Sequence, residues 1–583
     1  MLQKQKRKRG PADDLSRPTT LKRCRRTAVA DLLSSLSDEL LVRILSFLVL
    51  PDLLSLAPVS DRFYRLSGDS QIWKRLYYSR FVLPRALRLP GFRSGSARDG
   101  KLHYSSRRAI WADGRKGGWV DMRTGDGDER ESRDWKSQYK LRHNWSRGKC
   151  AVEELQLGRE SRFSETSETP TMLVKVVEGI AVTADSCTGL RAWDLKTKQL
   201  VAQAHLDENG SCASPSCMAL DGQLLQQKCL DIALGFTDGS FGTWRLHVEQ
   251  KQIVRRYRHE GSSNGDIISV AFLYPYLLTA TKSILISLYT FDSPPSPSGR
   301  LDDGEVTGPD GGTKQGSKSE VSDGKKEGSK TQLSAPYLLT SLKSHTSRAP
   351  LALSLRATAS STVASIAYSF FTIRGWSLGI QELHIRPIKT RLKSHPEITT
   401  TQLAYTLPVN RTSRHVPSPP SSPARPSRPN GINTQENDPE AQQDGPLSLS
   451  YTHPYLLVTL PDNTLILHLC TSSSSSLSIS PGIRLWGHTS GISDAEITAR
   501  GKAVSVSSRG EEIRLWELEG RTNGRSIEVR PTAKTSSEEA TLQEHMNAQW
   551  DDRRNWVGFD DEMVIVLKES SEGRESLLVY DFT

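Results

Sequence analysis

Long apolar runs and paired cysteines are both missing from this 583-residue sequence. The longest apolar stretch, Leu40 to Leu50, contains Arg43 and Ser46 and is far shorter than the ~20 residues of a transmembrane helix. Seven scattered cysteines, an odd number, predict no disulfide framework and indicate a compartment in which thiols stay reduced. We therefore expect an intracellular protein of the nucleus, the cytoplasm or both, with no membrane partner.

Motifs that carry catalysis are also missing. The sequence contains no GxxxxGK[ST] phosphate loop, no GxSxG elbow, no HExxH helix and no paired CxxC. Four scattered zinc-ligand types, His205, Cys212, Cys217 and Cys229, match no tight metal motif, and small buried thiols explain such cysteines more simply. We predict a non-catalytic protein with no catalytic residues, metal or cofactor.

Positive charge is concentrated near the start of the chain. The formal net charge is +11, and the runs Lys4 to Arg9 and Lys22 to Arg26 supply much of this excess. Such runs are typical of nuclear import signals and of solvated tails, and the sequence leaves both interpretations open. We predict a disordered basic tail over residues 1–33.

Residues 34–80 have the spacing of a small helical domain. Ser37, followed by Asp38 and Glu39, is a helix-start signal because a hydroxyl can cap the first turn and acidic groups favour its positive end. The apolar residues that follow share one helical face: Leu40, Leu41, Ile44, Leu45 and Leu48. Pro51 suits the first turn of a second helix, which carries Leu53 and Leu54. About forty residues bury only a small core, so some of these leucines should stay exposed and bind a partner.

This module resembles the F-box. The matching positions are Leu36, Asp38, Glu39, Leu40, Ile44, Leu45, Phe47, Leu48, Leu53, Leu54, Val59, Phe63, Ile72 and Trp73. Ser37 stands where the family usually has proline. The resemblance implies that one set of residues faces a Skp-type adaptor, which in turn joins a cullin and its RING partner. That set is Leu36, Leu40, Ile44, Leu45, Leu48, Leu53 and Leu54. The alternative is a helical subdomain that packs on the rest of the chain.

Residues 81–149 are predicted to be a linker with one helical segment. The stretch from Trp135 to Gly148, with Tyr139, Asn144 and Trp145, is similar to a segment that F-box proteins with WD repeats often carry between their two domains. We interpret its aromatic residues as packing anchors rather than as a ligand site.

From Leu173 onwards the pattern becomes alternating, with short β-rich runs separated by turn residues. Seven strand ends carry a similar residue: Trp193, Trp244, Tyr289, Trp376, His468, Trp516 and Tyr580. Several of their intervals approach the ~40 to 45 residues of a WD-type repeat. The two longest intervals contain Pro/Gly/Ser-rich insertions at about 292–335 and 407–446, which we predict to be disordered. Residues 150–583 are therefore predicted to form a seven-bladed, all-β propeller.

Details of the repeats resemble WD repeats, most clearly Gly487 and His488 followed by residues 513–516. In this family such a histidine more often bonds within its blade than acts as a base. Asp238 and Asp462 stand where the family has a turn aspartate. The last unit lacks a fourth strand, and we predict that residues 150–157 supply it by pairing beside residues 577–582, which would close the ring.

Together the two resemblances imply an F-box protein with carboxy-terminal WD repeats, the substrate-recognition subunit of a Skp-cullin-F-box ubiquitin ligase. Such receptors often capture phosphorylated segments with arginines, but no substrate-binding residue is assigned here, because five candidates cannot be placed on one face: Arg191, Arg245, Arg374, Arg484 and Arg514. The alternative is a WD-repeat scaffold or nucleic-acid-associated protein without a ligase role, which the basic tail would suit. Our main interpretation involves a target protein and no nucleic acid.

Overall fold

A computed structural model describes residue 33 and residues 35–86, 134–157, 172–206, 213–292, 332–344, 347–358, 361–386, 396–408, 445–473, 475–508, 512–518, 526–531, 556–569 and 575–583. The chain divides into two compact units, Met1–Leu76 and Tyr77–Thr583. None of the helices within these described ranges is long and apolar enough to cross a membrane. The predicted basic tail lies outside the described residues, except for Leu33, as does most of each predicted insertion.

The first unit is built from short helices. They are α1 (Asp38–Leu45), α2 (Leu50–Leu56), a 3₁₀ turn (Ala57–Val59), α3 (Asp61–Ser67) and α4 (Ser70–Tyr77), whose last residue, Tyr77, is the first residue of the second unit. Pro51 occupies the first turn of α2, where its missing N–H costs little. Ser60 caps α3 by accepting a hydrogen bond from the Phe63 N–H at 3.2 Å. Ser37 lies at the N-cap of α1, but its hydroxyl accepts no capping hydrogen bond, contrary to the capping role predicted for it.

The second unit begins with a helical region and continues into strands. Its helical elements are a π-helical turn (Tyr78–Val82), α5 (Leu83–Ala86), α6 (Trp135–Trp145) and a 3₁₀ turn (Leu225–Gln227). Strand β1 (Lys149–Gln156) follows α6 directly. Asp134 caps α6 by accepting from the backbone N–H groups of Lys136 and Ser137, which fixes where the helix begins.

The remaining strands form seven sheets, which are the blades of a propeller. Blade 1 contains β2 (Leu173–Val177), β3 (Ile180–Asp185), β4 (Gly189–Asp194) and β5 (Gln199–Ala204). Blade 2 contains β6 (Pro215–Asp221), β7 (Cys229–Phe236), β8 (Phe241–His247) and β9 (Gln252–Arg258). Blade 3 contains β10 (Ile267–Leu273), β11 (Tyr276–Thr281), β12 (Leu285–Thr290) and β13 (Tyr337–Lys343). Blade 4 contains β14 (Ser347–Ala357), β15 (Thr362–Thr372), β16 (Gly375–Arg386) and β17 (Glu397–Tyr405). Blade 5 contains β18 (Ser448–Thr452), β19 (Tyr455–Thr459), β20 (Leu465–Ser472), β21 (Leu477–Ile479) and β22 (Ile483–Leu485). Blade 6 contains β23 (Ile492–Ile497), β24 (Lys502–Ser507), β25 (Ile513–Glu517) and β26 (Ser526–Glu528). Blade 7 contains β27 (Arg530–Pro531), β28 (Trp556–Phe559), β29 (Met563–Glu569), β30 (Glu575–Asp581) and β1.

The predicted ring closure is confirmed. Strand β1 pairs antiparallel with β30, in a register that runs from Ala151 opposite Asp581 to Gln156 opposite Ser576. Residues from before the first blade therefore complete the last one, and the exposed sheet edge that an open ring would leave is removed.

The blade register corrects one of the predicted markers. Six of the seven marker residues lie in the middle or last part of the third strand of their blade, but Trp376 is the second residue of β16. It pairs with Phe371, next to the turn that joins β15 to β16. The aromatic residue was therefore matched to the wrong end of an unusually long strand. The predicted insertions fall at different places, one between β12 and β13 within blade 3 and one between β17 and β18, which separate blades 4 and 5.

Candidate functional site

Several large apolar side chains of the helical unit are exposed on and after α1. Leu40 and Ile44, four residues apart on one helical face, are 53% and 47% exposed, and Phe47 is 64% exposed. Leu54 on α2 is 47% exposed. Large apolar side chains that stay this exposed within one small module indicate a protein-binding surface. We call these four residues the apolar strip.

The core of the unit is complete without the strip. It consists of Leu41, Leu45, Leu53, Leu66, Ile72 and Trp73, each at most 5% exposed. The Trp73 indole N–H donates to the backbone oxygen of Ser67 at 2.7 Å, so the largest core residue is also satisfied as a hydrogen-bond donor.

The seven adaptor-binding residues predicted from the resemblance divide into three groups. Leu40, Ile44 and Leu54 are exposed, Leu36 and Leu48 are half-buried, and Leu45 and Leu53 are buried at 3% and 0% exposure. Leu45 and Leu53 lie in the core of the helical unit, and their contact with an adaptor stays a prediction. Phe47 and Val49, at 64% and 61% exposure, are exposed residues absent from the predicted set.

Arginines border the strip. The guanidinium carbons of Arg43 and Arg75 lie 5.1 and 5.4 Å from the centre of the Phe47 ring, within the range of a cation–π contact. Arg75 also donates to the Ser46 hydroxyl at 3.3 Å. Phe47 is thus held in place by its neighbours although most of its surface faces solvent.

Asp38 joins the start of α1 to α3. Its carboxylate accepts from Arg62 at 2.7 Å and from Arg65 at 2.6 Å, and Arg62 also donates to the backbone oxygen of Leu36 at 2.6 Å. Hydrogen bonds from Arg62, and then from Arg65, hold the pKa of Asp38 below its usual value. The acidic residue that the sequence assigned to the helix dipole therefore also fixes the position of α1.

Helix α6 packs its aromatic side chains against two groups of neighbours in the second unit. Trp145 stacks on Phe582 with ring centres 4.4 Å apart, and the Asn144 amide donates to the Phe582 oxygen at 2.8 Å. At the other end of the helix, Trp135 lies 5.6 Å from the ring of Tyr77. The prediction that these residues are packing anchors is confirmed.

The comparison with protein families decides the classification. A family model described as "F-box protein pof12 beta-propeller" matches residues 150–583. The chain belongs to this family. A second family model, "F-box-like", matches residues 33–79, the region that holds the apolar strip. This is an F-box protein with a carboxy-terminal propeller.

Solved structures resemble this F-box protein at very low sequence identity. "Structure of U3-55K" is 10% identical with a TM-score of 0.37, and the match covers 74% of this chain and 98% of that one. "Crystal structure of RRP9 WD40 repeats" is 11% identical with a TM-score of 0.37, covering 74% and 97%. No curated protein sequence matches the chain at a significant level.

His488 of the F-box protein bonds within its own blade, as predicted. Its Nε2 lies 2.6 Å from the Ser505 hydroxyl, to which the Trp516 indole N–H also donates at 2.8 Å. Burial lowers the pKa of His488 to about 4, so the neutral imidazole is the stable form in the folded blade. The turn residues Asp238 and Asp462 each accept a hydrogen bond from the backbone N–H two residues on, as aspartates in tight turns commonly do.

The predicted absence of a zinc site remains an expectation. Cys212 lies outside the described residues. Cys217 and Cys229 are free thiols, and the Cys229 sulfur lies 3.4 Å from Nδ1 of His247. Burial raises the pKa of Cys217 to about 12, which disfavours the thiolate that binds metal.

The five arginines considered for target binding are now placed. Four form ion pairs within their own blades: Arg191 with Asp185, Arg245 with Asp231, Arg484 with Asp462 and Arg514 with Glu512. Arg374 differs, because it is exposed at the turn between β15 and β16. Four of these candidates are therefore structural, and the fifth lies beside exposed apolar residues that the sequence did not single out.

Proposed function

We propose that this F-box protein is the substrate-recognition subunit of a Skp-cullin-F-box ubiquitin ligase. The observation that carries the proposal is the apolar strip, which stays exposed on a unit whose core is already complete. Burying such a strip against a partner would contribute roughly 25 cal/mol for each Å² of apolar surface removed from water. The match of residues 33–79 to the F-box-like family model supports a Skp-type adaptor as that partner, which would link the chain to a cullin and its RING subunit.

The propeller would supply the other half of the function. Seven blades closed by β1 form a ring of hydrogen-bonded sheets, and its connecting turns can present binding residues without disturbing the sheets. In this role the chain catalyses nothing itself. It holds a target protein near the conjugating enzyme and so raises the effective concentration of the target lysine.

The test is capture of a purified Skp-type adaptor and cullin by the full chain and by the double variant Leu40→Asp/Ile44→Asp. Both positions are about half exposed, so the charges should leave the helical fold intact while they oppose burial in the interface. We expect the wild-type chain to bind and the variant to lose at least tenfold in affinity.

The matched control is Leu200→Asp/Leu338→Asp, which places two charges at similarly exposed leucines of blades 1 and 3 and should bind the adaptor normally. Circular dichroism confirms that each variant is folded. No capture by the wild-type chain at micromolar concentration would rule out the proposal and favour the scaffold interpretation. Equal capture by wild type and strip variant would show that the strip is not the contact.

A further inference from the structure

Blade 4 has the longest central hairpin of the propeller. Strands β15 and β16 contain 11 and 12 residues, whereas the corresponding strands of blade 3 contain 6 each and those of blade 5 contain 5 and 8. Neighbouring blades pack face to face, so residues at the tip of a longer hairpin have no adjacent sheet to cover them. The tip is formed by Ile373 and Arg374.

One end of every blade holds the turn between its second and third strands. In an antiparallel four-stranded blade the first strand begins, and the fourth strand ends, at this same end. Because the blades follow one another around a ring with the same strand order, these ends together form one face of the propeller, which we call the hairpin face.

Exposed apolar residues concentrate on the hairpin face of blades 4 and 5. Among the described residues from Tyr77 onwards, seven of the twelve exposed large hydrophobic side chains belong to these two blades. Six lie at the hairpin face: Phe371 (48% exposed), Ile373 (105%), Tyr405 (55%), Leu407 (84%), Leu447 (52%) and Trp486 (66%). Six exposed large apolar side chains on one face of two neighbouring blades are unusual on a soluble surface and indicate a binding site.

The aromatic residues of this surface are held by packing. The Phe371 ring lies 5.6 Å from the Trp376 ring at an interplanar angle of 70°, and Phe370 lies 5.6 Å from Tyr405 at 79°. A Cβ atom on Gly445 would lie 2.8 Å from the Trp376 ring, so only glycine allows this close approach. Aromatic side chains that are ordered before binding lose little entropy in a complex, which is why they so often dominate binding energy.

The charge around these aromatics is positive. Lys343, Arg348 and Arg374 are exposed at the hairpin face of blades 3 and 4, and within the described parts of the chain none of the three forms an ion pair.

Among the described residues of blades 4 and 5, the acidic side chains do not offset this charge. Glu382 is buried and bonded to Arg356, and Glu397 lies at the opposite end of blade 4, where it is the strand partner of Arg386 in the β16–β17 register. In blade 5, Asp462 is neutralised by Arg484 at 2.9 Å. Positive potential beside an apolar surface selects a ligand of negative charge.

We propose that the hairpin face of blades 4 and 5 is where the target binds, and that the bound segment is an extended acidic peptide with apolar side chains. The apolar side chains would pack on Phe371, Ile373 and Trp486, while the acidic groups pair with Arg348 and Arg374. This proposal rests on the proposed function, because it places the target on the propeller of a ligase receptor.

The test starts from a displayed library of random peptides selected on the full-length chain. We expect the enriched peptides to combine Asp or Glu with Leu, Phe or Trp. A synthetic, fluorescently labelled copy of the most enriched peptide is then titrated with the wild-type chain and with variants, and its fluorescence anisotropy gives the Kd. We expect Arg348→Glu/Arg374→Glu and Phe371→Ala/Ile373→Ser each to weaken binding at least tenfold, and added salt to weaken wild-type binding.

The matched control reverses two exposed lysines of blade 2 at the end away from the hairpin face, Lys228→Glu/Lys251→Glu, and should bind the peptide as the wild type does. Failure to enrich any peptide, enrichment of basic peptides, or equal binding by the charge-reversed hairpin variant would each refute the proposal. A wild-type dimer that Phe371→Ala/Ile373→Ser converts to a monomer would do so too, by showing that the surface pairs two copies of the chain. Adaptor capture is measured on the same samples, so loss of peptide binding with normal capture overturns only this inference.

Discussion

The closing contact between β1 and β30 makes a quantitative prediction. Leu155 and Leu577 lie directly opposite each other in this antiparallel pair and are 7% and 0% exposed. Both pack in the same core cluster, together with Met563 and Ile565 of β29. Each Leu→Ala change removes buried methyl groups and leaves a cavity, which typically lowers the free energy of unfolding by about 2–5 kcal/mol.

Because the two side chains are strand partners in one core cluster, the cavities left by the two changes would merge and their effects should not be additive. We expect Leu155→Ala, Leu577→Ala and the double variant to show a coupling energy of about 0.5–3 kcal/mol. The assay is guanidinium unfolding of the full chain followed by tryptophan fluorescence. As a control, Leu155→Ala is combined with Leu465→Ala, a fully buried change in blade 5, where the two effects should add to within about 0.5 kcal/mol. Additive effects in the Leu155 and Leu577 cycle would refute the pairing of β1 with β30.

Three further predictions concern buried groups and one glycine. Burial lowers the pKa of His488 to about 4, below the ~6.5 of an unfolded chain. The stability that depends on neutral His488 is therefore fully present above about pH 6.5 and is lost as the pH falls through about 4. The change in the free energy of unfolding is on the order of 3 kcal/mol. His488→Gln should therefore be less stable at pH 7 and flatten that acid slope in thermal melts; an unchanged slope would contradict the assignment. Burial lowers the pKa of Lys502 well below its usual value, so the folded state loses stability below the unfolded pKa of ~10.4 and regains it as the pH rises. Lys502→Met should keep or raise the free energy of unfolding at pH 7 and should remove the gain between pH 7 and 10. A strongly destabilised variant would show that the charged amine is needed. Gly148 has φ +68°, and a Cβ there would lie 2.1 Å from the Glu528 oxygen. Gly179 has φ +82°, but a Cβ there would meet open space, so Gly179→Ala should lower the free energy of unfolding only by the ~1–2 kcal/mol of left-handed strain. Gly148→Ala should therefore lower the unfolding midpoint far more than Gly179→Ala.

The repeat pattern predicted the architecture because the signals of a blade lie within one short segment of sequence. Strand periodicity and turn residues recur within each blade, and the incomplete last unit pointed to residues 150–157 as the closing strand, which the structure confirms. Trp376 was misplaced because an aromatic residue marks a position in a strand only if the strand length is known. Strand β16 extends well beyond the third strands of blades 3 and 5, and this is not visible as a change of period.

The site was harder to predict than the fold. The F-box resemblance assigned Leu45 and Leu53 to the adaptor contact, and a helical stripe that is apolar over more than one face does not show that these two side chains are buried in the free chain. The structural role of the arginines depends on partners that are distant in the sequence, as in the ion pair of Arg484 on β22 with Asp462, which precedes β20. Exposure of Ile373 follows from the unequal lengths of neighbouring blades, which no single segment of sequence encodes.

Closure of the ring by β1 also sets an order of events during synthesis. The core of the helical unit uses residues 41–73 only, whereas blade 7 cannot form until β30 has left the ribosome and met β1. A nascent chain therefore carries a finished helical unit while its propeller is still open. If the proposed function holds, a translation product interrupted before β30 would still occupy the adaptor but present no target, and would act as a dominant inhibitor of the ligase rather than as a simple loss of function.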